Sequence, residues 1–181
     1  MNFQNLINSV ANGTVYNIDG VKLVQLCDCF SQDELYEFNQ LYSQSPPEHV
    51  VTEYTMNKRD WPFDIDKSSA EYIKLLETVN TKLDSKFDHY VGRFWQEEAG
   101  HYMDKHVDND MVCGSMQIYL PSTAAENTGT IFFGENLNVQ FKFKPNTGYL
   151  CSDPTKIYHS TGVAVNFGEY RRSAYFIFRN T

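Results

Sequence analysis

The fold class is indicated most clearly by residues 128–151, which read TGTIFFGENLNVQFKFKPNTGYLC. Apolar and aromatic residues at 129–134, 138–143 and 148–152 favour short β-strands, and Gly, Pro and Asn separate the three segments. Short strands divided by turn residues at this spacing are typical of β-sandwiches, jelly rolls and barrels.

The same pattern continues on both sides of this stretch. Turn residues delimit further predicted strands at 91–98, 101–107, 113–120, 155–160, 162–166 and 171–179. No segment after residue 90 repeats its apolar residues with the period of a helix. The second half of the chain is therefore predicted to be almost entirely β.

The first half carries helix signals instead. Residues 14–30 predict two strands around a turn, and a capping box at Ser31–Glu34 begins a helix. After an irregular or extended connection predicted at 48–66, a second capping box at Ser68–Glu71 begins a longer helix. That helix is predicted to reach residue 87 and to pack on a sheet through Ile73, Leu76, Leu83 and Phe87.

Helices followed by strands predict an α+β protein in which the helices cover one face of an antiparallel sheet. The length of 181 residues suits one domain. We expect N-terminal strands and supporting helices at 1–90 and the β-core at 91–181.

Composition and charge argue against several classes of function. The chain has 15 basic and 23 acidic residues and a net charge of −8, which disfavours nucleic acid and anionic membranes as partners. No apolar run approaches the roughly 20 residues that span a bilayer, and no secretory signal is visible. Because its four cysteines form no spaced framework, we expect free thiols and a cytoplasmic location. The oligomeric state stays open.

A histidine and an aspartate two positions apart, His106 and Asp108, end the predicted strand at 101–107. Side chains at i and i+2 of a strand point to the same face, so the imidazole and the carboxylate can converge on one metal ion. The pair alone is a weak signal, because a chain this rich in acidic residues contains such pairs by chance.

Two later elements complete the pattern. His159 follows four further predicted strands, and a jelly roll returns strands that are distant in sequence to neighbouring positions. Two histidines and one carboxylate form the facial triad of non-haem Fe(II) oxygenases. On the last predicted strand, Arg171 and Ser173 share a face, where an arginine can bind a carboxylate through two parallel hydrogen bonds. Arg172 replaces Arg171 if the register shifts by one residue.

Taken in order, these pieces resemble the Fe(II)- and 2-oxoglutarate-dependent oxygenases, specifically the prolyl-hydroxylase-like branch and its small bacterial or phage members. The resemblance covers roughly residues 90–180. Its stretches are AGHYMDKHVDN (99–109), QIYLP (117–121), TGTIFF (128–133), PNTGYL (145–150), His159 and Arg171–Ser173. It implies a double-stranded β-helix, or jelly roll, with the N-terminal helices packed on the major sheet.

The resemblance also implies the site. His106, Asp108 and His159 would hold Fe(II), and 2-oxoglutarate would bind this metal as co-substrate for reaction with O₂. Arg171, supported by Ser173, would bind the distal carboxylate of 2-oxoglutarate. Because related halogenases lack the carboxylate that Asp108 supplies, the implied reaction is hydroxylation, with succinate and CO₂ as co-products.

The sequence departs from the family at two positions that often carry a tyrosine in contact with 2-oxoglutarate. They hold Gln96 and Ile118 here. Tyr102, Gln117 or Tyr119 could take that role, and strand parity does not choose between them. Residues outside the motif receive structural interpretations, with His101 a structural histidine and Trp95 a core residue.

The substrate is not readable from the sequence. Prolyl peptides, free amino acids and other small molecules all fit, and residues 44–66 and 121–128 are predicted as specificity loops. Two other functions stay open. One is a non-catalytic jelly-roll binding or virion module, and the other is a cupin-like metalloenzyme that does not use 2-oxoglutarate.

Overall fold

A computed structural model gives the fold and describes residues 3–44, 49–50, 58–63 and 65–180. Within these ranges the helices are α1 (Gln4–Asn12), α2 (Gln32–Gln44) and α3 (Ala70–Leu83), with a 3-10 turn at Glu126–Thr128. The strands are β1 (Thr14–Ile18), β2 (Val21–Cys27), β3 (His49–Val50), β4 (Lys58–Phe63), β5 (His89–Glu98), β6 (Gly114–Leu120), β7 (Thr130–Phe133), β8 (Asn138–Phe141), β9 (Thr147–Cys151), β10 (Tyr158–Thr161) and β11 (Tyr170–Arg179).

The strands form two antiparallel sheets. The major sheet has the order β1-β2-β9-β6-β11-β5-β4-β3, and the minor sheet has the order β10-β7-β8. Between the sheets lies an apolar core in which Phe132 and Phe141 of the minor sheet pack with Leu23, Tyr119 and Tyr149 of the major sheet. This arrangement confirms the predicted α+β jelly roll.

The helices cover the outer face of the major sheet. Their apolar side chains form a second core with the outward side chains of β2, β5, β6, β9 and β11, including Phe94, Ile118, Leu150 and Phe176. Among the described residues, no helix is long and apolar enough to cross a membrane.

The predicted helices need two corrections. Helix α1 was not predicted, because it is short and polar and its first turn has no side-chain cap. In α3 the cap is Ser69, whose hydroxyl accepts a hydrogen bond from the backbone of Tyr72, and the helix ends at Leu83. Its buried face consists of Tyr72, Leu75, Val79 and Leu83, whereas Ile73 of the predicted stripe is 48% exposed.

The predicted strands also need correction. The segment 101–107 forms only a single β-bridge at His106, and 162–166 is not a strand. Conversely, β4 lies within the region 48–66, which was predicted as an irregular or extended connection and not as a paired strand. Part of the predicted specificity loop, residues 45–48, 51–57 and 64, lies outside the described residues.

Truncation of the buried face of α3 tests the corrected helix orientation. Leu75 is fully buried, so we expect Leu75→Ala to lower the free energy of unfolding by about 2–5 kcal/mol. Ile73→Ala, two positions away on the exposed side, is the matched control and should cost less than about 1 kcal/mol. Urea unfolding of both variants measures the difference, and equal losses would contradict the orientation.

Candidate metal centre and adjoining cavity

Three potential metal ligands converge at the mouth of the jelly roll. His106 and His159 are paired by two backbone hydrogen bonds, in which each residue's N–H donates to the other's carbonyl at 2.9 and 2.8 Å. Directly opposite residues of an antiparallel pair point to the same face, so both imidazoles lie together, with ring centroids 4.4 Å apart. The backbone N–H of Asp108 donates to the carbonyl of Pro154 at 3.1 Å, which fixes the carboxylate beside them.

The separations of the ligand atoms suit a metal ion. Oδ1 of Asp108 lies 3.7 Å from Nε2 of His106 and 3.5 Å from Nε2 of His159. All three atoms lie within 4.8 Å of one another. Ligands bonded at about 2.1 Å and about 90–120° apart are roughly 3–3.6 Å from each other, so the cluster can close on one ion with small movements.

The outward nitrogens of both imidazoles are held by backbone carbonyls. Nδ1 of His106 lies 2.7 Å from the carbonyl of Asp104, and Nδ1 of His159 lies 3.2 Å from that of Ile157. Since a carbonyl can only accept, each Nδ1 carries a proton, and Nε2 is the nitrogen whose lone pair becomes available to a metal when the imidazole is neutral. This is the arrangement that metal-binding histidines require.

Asp108 is held in its charged form. Burial alone would raise the pKa of this carboxyl, but hydrogen bonds from His106 and His159 outweigh burial and lower the pKa well below its ordinary value. The Tyr175 hydroxyl donates to the other carboxylate oxygen at 3.4 Å. The Asp108 hydrogen bond in turn raises the pKa of His106. A carboxylate and two imidazoles are the donor set that Fe(II) accepts, so the residues present fit this metal.

A cavity with an empty volume of about 390 Å³, including its open mouth, extends from the triad into the roll. Besides the triad, its walls include Trp95, Glu97, Gln117, Thr130, Tyr149, Arg171 and Tyr175.

Arg171 lies deep in this cavity and is 2% exposed. Its Nε donates to the Glu97 carboxylate, and its Nη1 donates to the Thr128 carbonyl. Glu97 also has Nε2 of His101 at 3.2 Å. Burial would raise the pKa of Glu97, but the charges of Arg171 and His101 hold it well below its ordinary value. With Nη2 left without a described partner, the guanidinium can still receive a carboxylate.

Arg172 points to the opposite face of β11. Its Nε donates to the side chain of Gln96 at 3.0 Å, and its Nη1 lies 3.5 Å from the side chain of Asn39 on α2. Arg171 and Arg172 thus lie on opposite faces of β11, and Arg171 is on the face that lines the cavity.

Other predicted site residues lie near the cavity without lining it. Ser173 is fully buried and accepts a hydrogen bond from Gln117 at 2.9 Å. The Tyr119 hydroxyl bonds Thr130, and Tyr102 is 44% exposed. Contacts of Ser173, Tyr102 and Tyr119 with 2-oxoglutarate stay predictions.

Sequence reasoning did not identify several cavity residues. Glu97 is the cross-strand partner of Arg171, and Trp95 and Tyr175 stack at 3.8 Å between ring centroids. The parity of β11 could have indicated Tyr175, because it shares a face with Arg171 and Ser173. Trp95, predicted as core, lines the cavity instead.

No family model matches the chain, and no curated protein matches it either. Several solved structures do match it in fold. A prolyl-4-hydroxylase from Pseudomonas putida has a TM-score of 0.66 at 13% identity, over 97% of both chains. A prolyl hydroxylase from Trichoplax adhaerens, in complex with a hypoxia inducible factor peptide fragment, has a TM-score of 0.67 at 16% identity, over 97% of this chain and 90% of that one.

A third structure, HygX from Streptomyces hygroscopicus with nickel and 2-oxoglutarate bound, has a TM-score of 0.54 at 10% identity. The alignment covers 86% of this chain and 82% of that one. The chain thus has the fold of the prolyl-hydroxylase-like 2-oxoglutarate oxygenases.

Removal of one imidazole tests the metal centre. The wild-type protein is expected to bind one Ni(II), an inert substitute for Fe(II), because three ligand atoms already face one point. His159→Ala and His106→Ala should abolish stoichiometric binding in isothermal titration calorimetry. His89→Ala, on β5 outside the cluster, is the matched control and should bind normally. Full occupancy in either triad variant, confirmed by elemental analysis, would refute the site.

Proposed function

We propose that the chain is an Fe(II)- and 2-oxoglutarate-dependent dioxygenase that hydroxylates its substrate and releases succinate and CO₂. The observation that carries the proposal is that His106, Asp108, His159 and Arg171 line one cavity. A facial triad alone fits many metal sites, but a buried arginine deeper in the same cavity fits a co-substrate with a second, distal carboxylate.

The triad would hold the iron. Both imidazoles are oriented by their Nδ1 hydrogen bonds to the backbone, and Asp108 contributes a negative charge that offsets part of the metal's charge. When bound, the iron and 2-oxoglutarate supply the oxidising power needed to break an unreactive C–H bond with O₂. The protein's own part is to hold these groups, orient the substrate and exclude water.

Arg171 would bind the distal carboxylate of 2-oxoglutarate. Its guanidinium cannot turn freely, because Glu97 and Thr128 each hold one of its nitrogens. The amide of Gln117 is fixed in the same cavity between Ser173 and the Tyr149 hydroxyl, at 2.9 Å each. We propose that this network shapes the space for the co-substrate, with Ser173 acting through Gln117.

The carboxylate at position 108 favours hydroxylation over halogenation, since it takes the coordination position that a halide would need. A prolyl peptide, an amino acid or another small molecule is the proposed substrate class. One structural neighbour is complexed with a peptide fragment, which supports a peptide among these.

Composition supports two further parts of the proposal. The net charge of −8 argues against nucleic acid as a partner. All four cysteines are free thiols, which supports a reducing cytoplasmic environment.

A turnover assay tests the proposed reaction. We expect Fe(II), 2-oxoglutarate and O₂ to give slow succinate formation even without substrate, because the residues proposed to hold the metal and the co-substrate already line one cavity. His159→Ala should abolish this activity, and His89→Ala should retain it. If the wild-type protein, with verified Fe(II), neither forms succinate nor binds 2-oxoglutarate, the proposed function is wrong.

Exchange of the two adjacent arginines tests the role of Arg171. In the Ni(II)-loaded protein, 2-oxoglutarate should raise the melting temperature, as any ligand of the native state does. Arg171→Met should raise KM for 2-oxoglutarate about 10- to 100-fold and remove most of this thermal shift, because a charged hydrogen-bond donor is lost. Arg172→Met, which removes an arginine from the opposite face, should keep most of it. The reverse result would assign the distal carboxylate to Arg172.

A further inference from the structure

The inner face of β4, β5 and β11 carries more positively charged than negatively charged side chains. Arg93 bonds both carboxylate oxygens of Asp60, at 2.8 and 2.9 Å, and Arg171 bonds Glu97. Lys58 lies in the same row of strands, since it is the cross-strand partner of Glu97. At 58–60, 93–97 and 171–175 of these strands the inner face carries five charged residues, and the four besides Lys58 form two pairs.

Lys58 is a buried cation that lies behind Trp95, a residue of the cavity wall. Its side chain belongs to a residue that is 6% exposed, and its ammonium lies 3.1 Å from the centre of the Trp95 ring. The opposite face of that ring is covered by Tyr175, stacked at 3.8 Å. Trp95 lines the cavity and Tyr175 reaches Asp108, so this stack connects Lys58 to the metal centre.

The ammonium has no acceptor among the described residues. None of their carboxylate oxygens lies within 4 Å of Nζ, and Nζ makes no hydrogen bond to any of them. A buried charge without a hydrogen-bond partner is costly, and the face of an aromatic ring compensates only part of that cost. Burial accordingly lowers the pKa of Lys58 to about 8, although Glu97 and Asp60 act in the opposite direction.

We propose that Lys58 binds a carboxylate of the substrate, so that the substrate is a carboxylic acid whose acid group lies at the Trp95 side of the cavity. This inference rests on the proposed function and names the substrate class for the same site. A carboxylate is the ligand that gives an ammonium both opposite charge and hydrogen-bond acceptors.

The co-substrate is a poorer source of this carboxylate. A molecule held between the triad and Arg171 has its distal end at Arg171, and the Glu97 carboxylate stands between Arg171 and Lys58 in the strand row. Bound in this way, 2-oxoglutarate would have one carboxylate at the metal and the other at Arg171, with none left for Lys58. Lys58 is therefore left for a second ligand.

Matched pairs of acids and amides test the proposal. The probes are the proteinogenic amino acids and the same amino acids as primary C-terminal amides, which lack the negative charge. Their binding to Ni(II)- and 2-oxoglutarate-loaded protein is measured by thermal shift, a readout independent of turnover. For the best-bound amino acid, the wild-type protein should prefer the acid to the amide about tenfold or more, which is the value of one charged hydrogen bond.

Three variants complete the experiment. Lys58→Met should reduce the preference for the acid to within about twofold, and Lys58→Arg should retain most of it. Lys74→Met, on the solvent side of α3, is the matched control and should behave as the wild type. No preference for acids in the wild type, or an unchanged preference in Lys58→Met, would overturn the proposal.

A separate measurement distinguishes the two possible carboxylates. If Lys58→Met weakens binding of 2-oxoglutarate as strongly as Arg171→Met does, Lys58 belongs to the co-substrate site and the proposal is wrong. Failure of the proposed function itself would be seen differently, as the absence of Fe(II)-dependent succinate. The acid and amide pairs can still be compared in that case, because the metal-free protein carries the same Lys58 and Trp95.

Discussion

The site depends on the β-bridge between His106 and His159. Its two backbone hydrogen bonds join a loop that follows β5 to a strand of the minor sheet, and they place both imidazoles on one side. Asp108 follows two residues later and is fixed by the carbonyl of Pro154. Without this bridge the two histidines would belong to separate elements, and neither the lowered pKa of Asp108 nor the convergence of the Nε2 atoms would follow. The triad lies on one side of the cavity, and the major sheet forms the opposite wall.

That wall carries an unusual amount of buried charge. Arg171 and Glu97 are both at least 98% buried, and Lys58 lies one strand away from Glu97. Burying charges is costly unless each finds a partner, and a roll built only for stability would use apolar side chains at these positions. The Glu97 carboxylate keeps Arg171 charged and oriented before any ligand arrives. The cost of the charged row is thus consistent with a cavity that binds anions.

Strand parity correctly placed Arg171 rather than Arg172 on the face of β11 that lines the cavity. His106 and Asp108 converge as predicted, but not through strand parity, because His106 forms a single β-bridge and the backbone of Asp108 is held by the carbonyl of Pro154. The capping box at Ser31 was also correct, since Ser31 and Glu34 bond each other's backbone N–H groups. Predictions from local sequence patterns were wrong where contacts between distant elements determine the structure. Pro62 cannot donate a backbone hydrogen bond, yet β4 has no described partner beyond residue 59 on its outer edge, so the missing N–H is tolerated there. Two faces of α3 carry apolar side chains, and the sequence pattern alone does not decide which of them is buried. Packing against the major sheet decides it.

The way in which the triad is fixed has an evolutionary consequence. Both imidazoles and the Asp108 backbone are positioned by main-chain groups, which every residue except proline can supply as donors and every residue can supply as acceptors. Neighbouring side chains can therefore be replaced over time without moving the ligands, provided that the strands keep their pairing. Sequence similarity then disappears much faster than geometry. The chain accordingly shares its fold with structural neighbours that have only 10–16% of their aligned residues in common with it.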